Sequence, residues 1–97
     1  MSVQVTNNTP MIVKIMWISI GWPEVPNGNL EKVKFDSDEI YGSDDPPDAW
    51  FDTSGEPTYL PGFTGHTLTF FFQNDIAPTG YGIELGFSNG CSISGGG

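Results

Sequence analysis

The sequence predicts an all-β fold: a single small antiparallel β-sandwich, immunoglobulin-like or jelly-roll-like, spanning residues 1–97. Three observations carry that prediction. Val, Ile, Thr, Phe, Trp and Tyr, the usual strand formers, supply 34 of the 97 residues, whereas Ala, Leu, Met, Glu, Gln, Lys and Arg supply 19. Gly and Pro together contribute 21 residues, well above the average of roughly 12% for the pair, as short strands joined by turns require. Period-2 alternation recurs along the chain and is cleanest where Tyr81, Ile83, Leu85 and Phe87 interleave with Gly82, Glu84, Gly86 and Ser88. A helical bundle or coiled coil is excluded, and the length supports one core only.

The elements follow in order. Ser2 to Asn8 alternates, with Val3 and Val5 on one face, before the turn Asn7-Asn8-Thr9-Pro10. Met11 to Ile20 is a longer strand with apolar residues on both faces, as expected of a central strand with a face-swapping bulge near its middle. Gly21-Trp22-Pro23 ends it, and Asn27-Gly28 has the composition of a two-residue hairpin turn. Leu30 to Phe35 alternates and carries charges, the pattern of a strand near an edge. Residues 36–61 break the pattern: eight acids, no base, and Pro46, Pro47, Pro57 and Pro61. They are expected to form one long acidic, proline-rich loop between strands, pinned by Ile40-Tyr41 and Tyr59-Leu60. Strands resume at Phe63 to Gln73 and at Tyr81 to Phe87, with Cys91 to Ser94 as a short final one.

Charge narrows the partners. Lys14, Lys32 and Lys34 are the only strong bases against twelve acids, for a net charge of −9. Such a surface repels phosphate backbones and anionic lipid, so neither nucleic acid nor direct membrane insertion is expected. The apolar run from Met11 to Ile20 is also far short of the ~20 residues that span a bilayer. A lone Cys91 cannot form an internal disulfide, and a small thiol flanked by small residues is expected to be buried and unreactive. The Gly95-Gly96-Gly97 tail has the composition of a linker edge, and the chain is expected to be part of a larger exported protein, outside the cell or on its surface.

No catalytic constellation emerges, and the chain is read as non-catalytic. His66 is the only histidine, with no Gly-x-Ser-x-Gly elbow to accompany it. Carboxylates crowd into one segment without a rigid scaffold to fix a pair. Asp36-Ser37-Asp38 begins like a helical-hand calcium loop, but Tyr41 stands where glycine is needed and Pro47 where the twelfth-position acid belongs. A looser set, Asp44, Asp45 and Asp48, is the candidate for weak calcium binding, and no other cofactor is expected. The aromatics Trp22, Trp50, Phe51 and Tyr59 fall in or beside the Pro-rich connections. They are the candidate ligand-binding residues, able to stack on sugars or anchor a protein, unless they fold back to seal an end of the sandwich.

The segments Ile15 to Pro23, Asn27 to Phe35, Gly65 to Phe72 and Tyr81 to Cys91, with the ending Phe87-Ser88-Asn89-Gly90-Cys91, resemble the β-rich head module of bacterial prepilin-type, type IV pilin-like cell-surface proteins. The apolar N-terminal helix of pilins is not present in this sequence. The resemblance implies an exposed structural or adhesive head that catalyses nothing, with a protein or glycan partner or self-assembly into a surface filament. The alternative is a small carbohydrate-binding module using Trp22, Trp50 and Tyr59.

Overall fold

Two antiparallel sheets pack face to face in the computed structural model, which describes residues 1–74 and 76–96. The strands are β1 (Ser2–Thr6), β2 (Val13–Gly21), β3 (Leu30–Phe35), β4 (Asp38–Asp45), β5 (Ala49–Asp52), β6 (Tyr59–Leu60), β7 (Gly65–Phe72), β8 (Gly82–Phe87) and β9 (Ser92–Gly96). A single turn, α1 (Glu24–Asn27), is broken at Val25, whose φ of −111° is not helical. Sheet one has the order β1-β7-β3-β4, and sheet two β5-β2-β8-β9, with β6 pairing the first residues of β2. The fold is the all-β sandwich that composition and alternation predict.

Alternate residues of both sheets build the core. Val5, Leu68, Phe70, Val33, Phe35 and Ile40 come from sheet one; Ile18, Ile20, Ile83, Leu85 and Phe51 come from sheet two. Burying a side chain of this size contributes roughly 1.5–3 kcal/mol, which is why each strand needs few inward residues to hold its place. The expected bulge is present: pairing of β2 with β8 shifts between Ile15 and Trp17. Its consequence is that Ile15 and Ile18 both point inward, while Trp17 turns outward. The Ile15 carbonyl, lying at this irregularity, accepts hydroxyl hydrogen bonds from Thr53 (2.6 Å) and Thr58 (2.7 Å), both buried. Those bonds stitch residues 53–58 to the centre of sheet two.

Residues 36–61 are not one long loop. They supply β4 as the edge of sheet one, then β5 and β6 in sheet two. An edge strand with one solvated face needs little apolar content, and β4 anchors through buried Ile40 and half-buried Tyr41 while Asp38, Glu39 and Asp44 are exposed. Lys34 stands opposite Glu39 across the β3–β4 pair, a favourable cross-strand neighbour. Three of the four expected pinning residues anchor the segment: Ile40 and Leu60 are buried, and Tyr41 stacks on Phe51 at 4.0 Å, joining the sheet edges, whereas Tyr59 is exposed.

Asn27-Gly28 does not close a hairpin, because β2 and β3 lie in different sheets. Asn27 is instead fully buried. Its amide donates to the Tyr81 hydroxyl (2.9 Å) and accepts from the Ala77 N–H (2.9 Å), while Gly28 takes φ 73°, which favours glycine. Cys91 is exposed rather than buried, since it follows the Gly90 turn (φ 85°) and leads into the edge strand β9. A thiol reagent is therefore expected to label Cys91 in the native protein as fast as in denaturant; strong native-state protection would contradict this placement.

Candidate functional site

The outer face of sheet two presents a flat aromatic surface, and local register explains it. Inward Ile18 and Ile20 leave Trp17, Ser19 and Gly21 facing out; inward Ala49 and Phe51 leave Trp50 and Asp52 facing out. On β8, inward Ile83 and Leu85 leave Gly82, Glu84 and Gly86 facing out. Two rows result across the strands: Trp50, Ser19, Glu84, Ser94 and, beside it, Asp52, Trp17, Gly86, Ser92.

Trp17 and Trp50 are diagonal neighbours with ring centroids 6.4 Å apart and planes inclined by 27°. Gly86 makes this geometry possible. A Cβ at that position would lie 2.0 Å from Trp17 Nε1, so the indole lies against bare backbone, and Gly86 is buried beneath it. The pyrrole part of the ring is thus seated on Gly86, and Trp17 is half-buried. Trp50 is 61% exposed. Ser19, Gly86, Ser92 and Ser94 share the pair's two rows with Asp52 and Glu84.

Carboxylates rim the aromatic surface. Asp52 is held below the usual carboxylate range by the Ser54 hydroxyl and N–H, the latter donating to Oδ1 at 2.7 Å. It is therefore an acceptor at neutral pH. The Asp48 carboxylate rests against Gly21, where a Cβ would meet its Oδ1 at 2.6 Å. Glu84 occupies the row of Trp50.

The four aromatics expected to bind ligand separate into two classes. Trp50 and Tyr59 are exposed; Trp22 (5%) and Phe51 (4%) are core residues. Trp22 packs on Phe72 at 5.3 Å and donates its indole N–H to the Gly28 carbonyl at 2.8 Å. Phe51 occupies the inward phase of β5, one residue out of step with Trp50. Both corrections have one cause: the segments read as loop are strand or strand-capping structure, so alternate residues must point inward. Tyr59 faces out, but Lys14 Nζ lies 4.2 Å above its ring and donates to the Glu56 carbonyl. One face of Tyr59 is thereby occupied, whereas no lysine covers Trp17 or Trp50: Lys32 and Lys34 both lie over Phe71 of sheet one.

Trp17 was not among the expected ligand-binding residues. Simple alternation groups it with Met11, Val13 and Ile15, and the bulge reverses its phase.

Of the three acids expected to bind calcium, Asp44 and Asp45 engage protein donors, while Asp48 lies against Gly21. Asp44 accepts from the Asn29 and Gln73 amides (3.0 and 3.1 Å), and Asp45 from the Tyr41 and Ser43 hydroxyls. Burial and the Asp45 carboxylate raise the Tyr41 phenol above its ordinary range. Among the described residues no group of three or more His, Cys, Asp or Glu is placed to hold a metal ion.

His66 lies between Asp36 Oδ2 (Nδ1, 2.7 Å) and Thr64 Oγ1 (Nε2, 2.9 Å), with its ring stacked on Phe35. The outline is that of an acid–base–nucleophile relay. The Thr64 hydroxyl, however, also lies 2.6 Å from the Pro61 carbonyl, which can only accept, so its single proton has a better partner than the imidazole. The cluster is a clamp that ties the β3–β4 turn, with Asp36 at φ 53°, to β7.

His66 and the Thr67 N–H hold the Asp36 carboxyl below its usual 3.8. A depressed carboxyl stabilises the fold above the unfolded-state value, and that contribution is lost as pH falls through the folded one. Acid titration of stability is expected to show this loss below about pH 4 in the wild type, and Asp36→Asn should reduce the pH dependence there. An unchanged profile would contradict the clamp.

No family model, curated protein or solved structure matches this chain.

Proposed function

We propose that this protein is a non-catalytic adhesive module that binds glycans through the outer face of sheet two. One observation carries the reading: Trp17 seated on Gly86 beside exposed Trp50, on a surface otherwise built from small residues and carboxylates. Fixed indole faces match the flat C–H faces of sugar rings, and exposed Trp50 beside half-buried Trp17 offers stacking at low ordering cost. Asp48, Asp52 and Glu84 supply acceptors for the hydroxyls at the ring edges.

Charge selects the sugar class. A net charge of −9, with three carboxylates around the aromatics, disfavours sulfated and uronic-acid glycans and favours neutral or amino sugars. The setting that suits this role is the cell surface or extracellular space, with the domain as the exposed head of a larger exported protein. That agrees with the resemblance to prepilin-type heads. A glycan array is the test: saturable binding confined to neutral or amino sugars is the expected outcome. Binding only to anionic glycans, or to none, would overturn the reading.

A further inference from the structure

We infer that the end of the sandwich formed by residues 7–12 and 61–64 is a lipid-contacting tip, which seats in the boundary between headgroups and acyl chains of an uncharged bilayer surface. These segments are the β1–β2 and β6–β7 connections. They carry three of the most exposed large apolar side chains among the described residues: Met11 (69%), Ile12 (61%) and Phe63 (70%). Apolar area concentrated on neighbouring loops marks a contact surface.

The two loops are held as one piece. The Phe63 N–H donates to the Thr9 carbonyl (3.0 Å), and the Asn7 N–H to the Thr64 carbonyl (2.9 Å). The buried Asn7 side chain donates to the Met11 and Leu60 carbonyls (2.6 and 3.0 Å), and its Oδ1 accepts from the Thr9 N–H and hydroxyl. Gly62 lies against Pro10, where a Cβ would meet the carbonyl oxygen at 2.5 Å. The Thr64 hydroxyl donates to the Pro61 carbonyl, while Pro10 and Pro61 have no N–H to satisfy. Much of the tip's main-chain polarity is thus satisfied internally, the condition for leaving water without a large penalty. A tip already ordered also loses little freedom on contact.

Charge selects the partner. Residues 7–12 and 61–64 carry no charged side chain. Glu24, Asp44, Asp45 and Asp48 lie at the opposite end, where Leu30 pairs with Asp45 and Ile20 with Ala49. The first and last described strands begin and finish away from the tip, with Ser2 opposite Thr69 and Gly96 opposite Gly82. Behind the tip, Asp36 pairs with His66 at 2.7 Å, and Lys14 lies over the ring of exposed Tyr59, a residue type that suits the headgroup level. Seating the tip therefore carries the acidic end furthest from the lipid. At −9 the protein is repelled by anionic headgroups, which leaves a zwitterionic surface. A protein groove would read main-chain groups that are here engaged with one another.

Co-sedimentation with sucrose-loaded vesicles tests the proposal, using phosphatidylcholine alone or with about 30% phosphatidylglycerol. The wild type is expected to bind the neutral vesicles with a partition coefficient on the order of 10³ M⁻¹, below that of a single myristoyl chain. Phe63→Asn, and Met11→Ser with Ile12→Ser, should each lower it at least about tenfold. Asparagine tolerates the Phe63 φ of 56°, and all three side chains are exposed, so both variants should fold, with circular dichroism and melting temperature as the check. Val25→Ser, which removes an exposed apolar side chain at the opposite end, should leave binding unchanged. Binding to neutral vesicles should be the same at about 50 mM and 500 mM sodium chloride, and binding to the anionic ones weaker at the lower salt. The vesicles carry no sugar, so the outcome is independent of the Trp17–Trp50 surface. Binding only to anionic vesicles, tip variants that sediment like the wild type, or an equal loss in Val25→Ser would each overturn the proposal. A wild type that stays in the supernatant would also overturn it and give the tip to a protein pocket.

Discussion

Phe51→Ala is expected to destabilise the fold by about 3–5 kcal/mol, whereas Trp50→Ala, one position earlier, should change stability by no more than about 0.5 kcal/mol. Phe51 is 4% exposed and stacks on Tyr41 at 4.0 Å, closing the sandwich between β4 and β5. Removing it leaves a cavity between two sheets that cannot collapse independently of their hydrogen-bonded ladders. Trp50 touches sheet two from outside. Urea unfolding of the two variants measures the difference. Equal losses would mean that β5 does not pair with β2 in the register Ile18 to Phe51 and Ser19 to Trp50.

Gly86→Ala has the second largest expected effect, and it acts on the site without touching an aromatic residue. The added methyl would lie 2.0 Å from Trp17 Nε1 and 2.1 Å from Cε2, so the indole must leave its seat. Crowding of this kind costs about 1–3 kcal/mol in stability, and tryptophan emission should shift as the ring is displaced. Sugar affinity should fall at least about tenfold, equivalent to roughly 1.4 kcal/mol. Gly82→Ala is the matched control, because it lies on the same strand and face with nothing within 4 Å of the added carbon. If the two variants behave alike, the flat seating of Trp17 has no bearing on binding.

The sequence shows some parts of this structure better than others, for physical reasons. β8 is legible because one face is core and the other solvent, so Ile83 and Leu85 alternate with Gly82, Glu84 and Gly86. β2 is legible as a central strand with a bulge, since apolar residues on both faces require one. β4 and β5 are not legible. An edge strand gives a weak period-2 signal when Ile40 is its one buried residue, and Asp44 and Asp45 look the same on a solvated strand as in a loop. β5 offers only Ala49 and Phe51 as its inward pair, in four residues.

The site was half legible. Trp50 and Tyr59 stand out as aromatics among acids, and both are exposed. Trp22 and Phe51 have the same composition around them and differ only in phase, which depends on strand assignments the sequence does not supply. Trp17 is the instructive omission. Placing the bulge between Ile15 and Ile18 turns Trp17 outward, and a glycine in the outward phase of an alternating neighbour strand is the signal that a large flat group lies across it. That signal needs the β2–β8 register, which is tertiary information.

The central claim is that the Trp17–Trp50 surface binds sugar rings. Affinity electrophoresis through gels containing soluble neutral polysaccharides (glucans, mannans and xylans) tests it most directly, with the wild type run beside Trp17→Ala, Trp50→Ala and the buried-residue control Trp22→Phe. The account predicts retardation of the wild type and the control by at least one polysaccharide, and at least about tenfold weaker binding in Trp17→Ala and Trp50→Ala, the two remaining folded. Equal retardation of all four proteins, or none in any gel, would contradict it.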